Sequence, residues 1–326
     1  MKHWSQFWRS TNSLSSFSEG IAVEGYSAEI KEFWETSVAE LGKNAVLVDI
    51  GTGNGALAVL MNDYSKAQKL SWQIHGVDAA EIKPKALEES NDIFKGRFDG
   101  IEFHPETDMA KMPFEDASVD CVVSQFAFEY GDESAVLAEI MRVLKPGGRF
   151  VMMGHHKKSA VHKSTDVGVK VLHHIMHETP LFAQAELYLA IATQALTNMD
   201  ARAYQGTNEG QAIGRTVEWL LQYVQDKYKK EEEKLWVTDV CRRVINLLAE
   251  ATTVEKAKEN MRQLNIQYQL LTGHIDRLKD MSAASRTETQ IKKLVTSAKK
   301  LGAEGDYAEM KQHDDVFAWT AQFVKQ

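Results

Sequence analysis

Residues 45–61 read Ala45-Val46-Leu47-Val48-Asp49-Ile50-Gly51-Thr52-Gly53-Asn54-Gly55-Ala56-Leu57-Ala58-Val59-Leu60-Met61. They start as an apolar run of strand length, pass through a glycine-rich turn at 51–55, and end in an apolar stretch of helical character. A strand that ends in glycines and opens into a helix lets a ligand touch backbone that side chains would cover. Asp78 lies 23 residues beyond Gly55, at the end of the next apolar run, Trp72–Val77. A carboxylate there can accept both ribose hydroxyls of an adenosine ligand. The glycines alone leave the cofactor open, because Gly51-x-Gly53-x-x-Ala56 also fits the relaxed dinucleotide pattern.

The pattern extends in both directions. Ser27 is placed to cap a helix running to Leu41, with Ile30, Phe33, Trp34, Val38 and Leu41 on one face and Gly42 as its stop. Helix signals recur over Pro84–Phe94. A short strand is predicted at Gly100–His104, another at Val119–Val123, then a helix over Ser134–Leu144. Lys145-Pro146-Gly147-Gly148 reads as a turn and Arg149–Met153 as a strand. Strands that are continuously apolar and alternate with helices predict a parallel sheet covered on both faces.

Asp49-Ile50-Gly51-Thr52-Gly53-Asn54-Gly55 resembles the first motif of the class I S-adenosylmethionine-dependent methyltransferases. Further stretches fall in that family's order. Gly76-Val77-Asp78 resembles its ribose-binding acid, and Thr107–Phe114 the loop that brackets adenine. Phe114–Asp120 leads into the fourth strand. Ser124-Gln125-Phe126-Ala127-Phe128-Glu129-Tyr130 resembles the loop beyond that strand, and Glu139–Gly148 the turn before the fifth. The resemblance covers roughly residues 25–155, whereas a dinucleotide site explains only the first two features. It implies S-adenosyl-L-methionine as cofactor. Gly51, Thr52, Gly53 and Gly55 would lie against its methionine part, with Asp49 organising that turn. Asp78 would take the ribose hydroxyls and Asp108 the adenine amino group, with the Met109 backbone facing the ring. Ser124, Gln125 and Phe126 would border the methionine end.

The family's sheet closes with a helix and two strands, the last antiparallel. Here the matching segments come late. Thr287–Lys300 is amphipathic through Ile291, Leu294, Val295 and Ala298, and Gly302 stops it. Asp306–Met310 reads as a sixth strand, and Val316–Val324 resembles the closing one. The expected fold is therefore α/β, a doubly wound, mostly parallel seven-stranded sheet with an antiparallel last strand, plus a large helical insertion. Residues 1–155 and 285–326 would form the Rossmann-like methyltransferase domain and 156–284 the insertion, as a lid, substrate or dimerisation domain.

All five prolines lie in the first 180 residues, which leaves the rest free to form long helices. Val254, Ala257, Met261, Leu264, Tyr268, Leu271, Ile275 and Leu278 follow heptad spacing. That seam pairs either within the chain or across a homodimer. Ala201–Gly214, with three glycines and little apolar content, is expected to be a flexible connection.

Composition narrows the function. No apolar run approaches membrane-spanning length, and MKHWSQFWRS has no signal-like apolar core, so a cytoplasmic location is expected. Cys121 and Cys241 are too few for a disulfide framework. Residues 1–155 hold 14 Lys and Arg against 24 Asp and Glu, a net of -10. An acidic front half without a basic stripe argues against nucleic acid and favours a small-molecule acceptor.

Six histidines fall between 155 and 177. His173 and His177 share a helix face at metal-capable spacing, but no cysteine lies nearby and the family needs no metal, so none is expected. His155 and His156 follow the fifth strand at the sheet's ligand-binding edge, where His155 could remove a proton from the acceptor. Glu129 and Tyr130 are similarly placed after the fourth strand. The aromatic N-terminus (Trp4, Phe7, Trp8, Phe17) could fold over the same opening. A methyltransferase is the first reading. A cofactor-binding regulatory module without methyl transfer is the second, and an NAD-dependent oxidoreductase the third.

Overall fold

The apolar runs become β1 (Val46–Ile50), β2 (Gln73–Val77), β3 (Ile101–His104), β4 (Val119–Gln125) and β5 (Leu144–His155), followed late in the chain by β6 (Ala303–Gln312) and β7 (Asp315–Lys325). In the computed structural model, which describes residues 1–16, 26–90 and 92–326, they form one sheet in the order β3-β2-β1-β4-β5-β7-β6. The first five strands pair parallel. β7 runs antiparallel to both β5 and β6. This is the doubly wound sheet expected, with Val316–Val324 inside its antiparallel strand. Lys145–Gly148 is a bulge within β5 instead of a turn before it. Val119 pairs with Leu144 and Cys121 with Arg149, so the extra residues loop out opposite Asp120. Gly147 takes the positive φ of 76° that the bulge needs.

The helices are α1 (Lys2–Ser10), α2 (Ala28–Val38), α3 (Ala56–Ala67), α4 (Ala86–Ser90), α5 (Glu133–Val143), α6 (Ala160–His173), α7 (Leu181–Ala195), α8 (Ala201–Gln205), α9 (Asn208–Lys227), α10 (Glu231–Ala249), α11 (Val254–Ala284) and α12 (Glu288–Lys300). The chain packs as two compact units, residues 1–163 with 280–326, and residues 164–279. Among the described residues no helix is long and apolar enough to cross a membrane.

The sheet unit has a core on each face. Leu47 of β1 joins Trp34, Leu57, Met61 and Phe98 on one side. Val48 and Ile50 join Leu137, Ile140, Phe150 and Leu294 on the other. Alternation along one strand feeds both cores, which is why the strands read as unbroken apolar runs. Each large side chain buried this way contributes about 1.5–3 kcal/mol. The last segments are fastened to the fifth strand's end. Trp319 Nε1 donates to the Arg286 carbonyl at 2.9 Å, and the His156 ring lies 4.2 Å from the Trp319 ring.

In the helical unit the seam residues Ala257, Leu264, Leu271, Ile275 and Leu278 are buried. Asn260 Nδ2 donates to the Leu247 carbonyl at 2.7 Å, tying α11 to α10. Residues 201–214 differ from expectation. They form α8 and the first two turns of α9, because side chains cap both helices. Asp200 Oδ1 accepts from Ala203 N at 2.8 Å and Thr207 Oγ1 from Gly210 N at 3.0 Å. Gly210 is there for closeness: a Cβ on it would stand 2.3 Å from the Tyr204 carbonyl oxygen.

Candidate functional site

β1 is flanked by β2 on one side and β4 on the other, both parallel to it. Chain connections leave in opposite directions there, and ligands of open α/β sheets bind at the carboxyl ends of the strands around such a point. A cavity of about 680 Å³ opens at this edge. Gly51, Thr52, Val77 and Asp78 line it from the ends of β1 and β2, Glu106–Met109 from the loop after β3, Gln125 from the end of β4, and Phe126, Ala127, Glu129, Tyr130 and Gly131 from the loop that follows. Met1, His3, Trp4, Trp8 and Leu14 of the N-terminal segment line it too, as do Asp280, Ala283 and Ala284.

The glycine turn is shaped by backbone bonds to β2. Gly51 N and Thr52 N both donate to the Val77 carbonyl, at 2.7 and 3.1 Å. Gly51 has φ +65°, and a Cβ on it would fall 2.2 Å from the Ala127 Cβ. Gly53, at φ +55°, lies under the Trp8 ring, 2.4 Å from where its own Cβ would be. Gly55, at φ +89°, is the residue from which α3 starts. Three left-handed positions in five residues need glycine at each.

Asp78 is buried beside this turn. Its Oδ2 accepts from Gly53 N at 2.8 Å and its Oδ1 from Ala80 N at 2.7 Å. Each oxygen keeps a second lone pair. Burial raises its pKa against the two bonds that lower it. Asp49 stands behind the turn, 2% exposed, and its Oδ2 accepts from Thr52 Oγ1 at 2.6 Å. Burial is the main cause that raises its pKa to about 7, with the Thr52 bond opposing. Asp108 is exposed, in the loop whose Thr107 N donates to the Asp78 carbonyl at 2.9 Å, and accepts from Ala110 N at 2.9 Å.

The opposite wall gathers groups from separate parts of the chain. Phe126 holds φ +54°, a strained conformation for an aromatic residue. Its N–H donates to the Met153 carbonyl at 2.7 Å, and its ring lies 4.6 Å from that of His155. Glu129 Oε1 accepts from His155 N at 2.7 Å, while Arg286 Nη2 donates to the Glu129 carbonyl at 2.8 Å. Glu129 Oε2 is buried with no hydrogen-bond partner among the described residues. Burial pushes the Glu129 carboxyl up to about 7. His155 Nε2 lies 3.0 Å from the Tyr130 hydroxyl. Burial, and then the nearby His162 and Arg286, hold its pKa down to about 3.

The N-terminal segment is fastened over the opening. Asn54 Nδ2 donates to the carbonyls of Trp8 and Ser13, at 3.3 and 2.9 Å. Glu81 N donates to Ser5 Oγ at 3.0 Å. Trp4 Nε1 donates to Asp280 Oδ2 at 2.9 Å, and the Trp4 ring meets Tyr130 edge-on at 5.6 Å. Phe17, expected with these aromatics, lies outside the described residues.

Of the residues singled out in the sequence, Gly51, Thr52, Asp78, Asp108, Met109, Gln125, Phe126 and Glu129 line the cavity. Asp49, Gly53, Gly55 and Ser124 stand behind the lining, where Ser124 Oγ accepts from Phe128 N at 2.9 Å. His155 does not line the cavity; Tyr130 and Phe126 stand in front of it. His156 is turned to β6, with Nε2 3.1 Å from Glu309 Oε1. Sequence reasoning passed over Asn54, Tyr26, Asp280 and Arg286. Only Asn54, inside the glycine turn, carried a local signal.

A family profile described as a methyltransferase domain matches residues 48–152. The sterol 4-C-methyltransferase of Caenorhabditis elegans is 31% identical over 140 residues, 42% of this chain and 39% of that protein. A ubiquinone/menaquinone biosynthesis C-methyltransferase of Desulfotalea psychrophila is 34% identical over 135 residues, 41% of this chain and 50% of that one. The chain thus spans about half or less of the length of these curated relatives. Among solved structures, a geranyl diphosphate methyltransferase in complex with GPP and sinefungin aligns with a TM-score of 0.32 at 26% identity, covering 39% of this chain and 45% of that one.

Proposed function

We propose that this chain, whose residues 48–152 are a methyltransferase domain of the class I, S-adenosylmethionine-dependent family, transfers a methyl group to a small, largely apolar acceptor. The observation that carries the reading is Asp78. It is a buried carboxylate at the second strand's end, held by one backbone N–H at each oxygen and with a lone pair left on each to face a pair of vicinal hydroxyls. The residues fit S-adenosylmethionine in two further respects. A side chain at Gly51 would collide with Ala127, so backbone lies bare at the cavity. Asp108 and Met109 line the cavity from the loop whose Thr107 N donates to the Asp78 carbonyl at 2.9 Å, so they would stand beside a nucleoside held at Asp78.

When bound, the cofactor supplies a methyl group on a positive sulfonium, an electrophile that needs little activation. The work left to the protein is orientation, exclusion of water and handling of a proton. Asp78 would hold the ribose hydroxyls, Asp108 would accept from the adenine amino group, and Gln125 and Phe126 would border the methionine end. Asp49 holds the turn in shape through Thr52. Trp4, Trp8, Tyr26, Phe126 and Tyr130 give the rest of the cavity an aromatic lining that suits an apolar acceptor. The names of the two relatives, which speak of a sterol and of quinone biosynthesis, support that class.

Glu129 takes the acceptor's proton. It lines the cavity, has an unused oxygen, and burial brings its carboxyl to about 7, near the pH at which a general base works best. His155 serves as a positioning residue, because its Nε2 meets Tyr130 and its protonation is suppressed.

Isothermal titration with S-adenosylmethionine, S-adenosylhomocysteine and NAD tests the cofactor. Binding of the first two and not of NAD is the expected result, and binding of NAD alone would overturn the reading. Transfer of a labelled methyl group to sterol- or quinone-like compounds tests the activity. Cofactor binding without transfer to any acceptor class would make the chain a binding module.

A further inference from the structure

We propose that His75, Glu102 and His104 form a binding site for a divalent transition metal of the zinc class, on the outer strands of the sheet. His75 lies on β2, and Glu102 and His104 on the edge strand β3. The parallel register pairs His75 with Glu102 and Val77 with His104. Glu102 and His104 are two residues apart, so they project from the same side of β3. His75 Nδ1 lies 3.1 Å from His104 Nε2 and 3.5 Å from a Glu102 carboxylate oxygen. The other Glu102 oxygen is 3.9 Å from His104 Nε2. A tetrahedral ion with bonds of about 2.0–2.1 Å keeps its ligand atoms roughly 3.3 Å apart. The three side chains already stand at nearly that spacing.

The surroundings favour an ion over a chance cluster. Both imidazoles are largely shielded, with side-chain exposures of 16% and 19%. The Phe114 ring meets both edge-on, at 5.1 and 5.6 Å, so the two rings share one fixed geometry. Two nitrogens 3.1 Å apart can share a single proton only. An ion between them replaces that proton bridge with two bonds. Each ring then carries its proton on its other nitrogen, the neutral form in which histidine ligates. Glu102 is exposed and supplies the anionic third ligand, leaving a fourth position for water. Among the described residues this is the one trio of His, Cys, Asp or Glu with all ligand atoms within 4.8 Å of one another.

A bound ion would pin β3, a four-residue strand that among the described residues pairs with β2 alone, to that neighbour. It would thereby stabilise the folded chain against unfolding. The site lies outside the cavity lining, so the proposal stands or falls apart from methyl transfer.

The test uses the full chain without a histidine tag, stripped with chelator and titrated with Co²⁺ and Zn²⁺. One equivalent of Co²⁺ is expected to give the intense visible absorption of a four-coordinate site, and Zn²⁺ to displace it and raise the melting temperature. H104A and H75A are expected to lose the absorption and the thermal shift. E102Q, at an exposed position that should not disturb folding, is expected to weaken binding by about tenfold or more. Thermal melting without metal checks that the histidine variants fold. Absence of the Co²⁺ signal overturns the proposal. So does binding that survives H75A and E102Q but is lost in a His173→Ala, His177→Ala double variant.

Discussion

Asp78 and Glu129 are both buried carboxyl groups on the cavity wall, yet Asp78 meets a backbone N–H at each oxygen and Glu129 at only one. Burial raises the pKa of both, and in Glu129 it reaches about 7. In the function proposed above, this difference would separate holding from reacting. A carboxylate fixed at both oxygens has its geometry set before a ligand arrives, which suits recognition of two hydroxyls. One that is half-satisfied and poised near neutrality suits exchange of a proton. The two walls also differ in origin. Asp78 and the glycine turn come from contiguous strand–turn–helix units. Glu129 is surrounded by His155 and Arg286, whose positions depend on β5 and on the return of the chain before α12.

The sharpest way to break this comparison is E129Q, which keeps the shape and removes the titration. If Glu129 is the base, turnover is expected to fall roughly 10²–10⁴-fold while cofactor affinity stays unchanged. The wild-type rate is expected to rise through about pH 7 and that step to vanish in the variant. Stability gives a second readout. The folded Glu129 pKa stands above its ordinary 4.5, so the native state holds the extra proton and loses stability as pH rises from about 4.5 to about 7. Urea melts across that range should show a shallower decline in E129Q, with Asp49 still contributing the same direction. His155 acts oppositely. Its depressed pKa makes stability fall as pH drops from 6.5 towards 3.

G51A strikes the other wall. The left-handed φ and the clash with Ala127 should together cost roughly 2–4 kcal/mol of stability, readable as a lower denaturation midpoint with weakened cofactor binding. D78A is expected to cost about 1.5–3 kcal/mol in S-adenosylhomocysteine affinity by calorimetry, with a thermal melt checking that the chain still folds once Gly53 N and Ala80 N lose their acceptor. Unchanged affinity would remove Asp78 from the ribose role and with it the contrast between the walls. The smallest effect is expected from W4F. It keeps an aromatic ring against Tyr130 but gives up the bond to Asp280, for about 0.5–1.5 kcal/mol. Hydrogen exchange in residues 1–16 should rise without a change in global stability.

The residues themselves determined the sheet. Apolar runs at 45–50, 72–77 and 119–123, the glycines at 51, 53 and 55, and the acid at 78 are local signals, because strand burial and left-handed turns constrain residue type position by position. The late segments at 287–324 were legible for the same reason. Signals of chain flexibility were not. Three glycines in 201–214 suggested a loose connection, but the Asp200 and Thr207 caps and the approach of Gly210 to Tyr204 made helices of it. Only the tertiary structure decided which of the marked polar groups reach the cavity. His155 and Glu129 are equal candidates by position after a strand, and the folded chain puts Tyr130 in front of one and leaves an unpaired oxygen on the other. The His75–Glu102–His104 trio depends on strand register, Asp280 and Trp4 meet across most of the chain's length, and the pKa values arise from burial. Such properties come from contacts between residues far apart in sequence, and a reading along the chain cannot supply them.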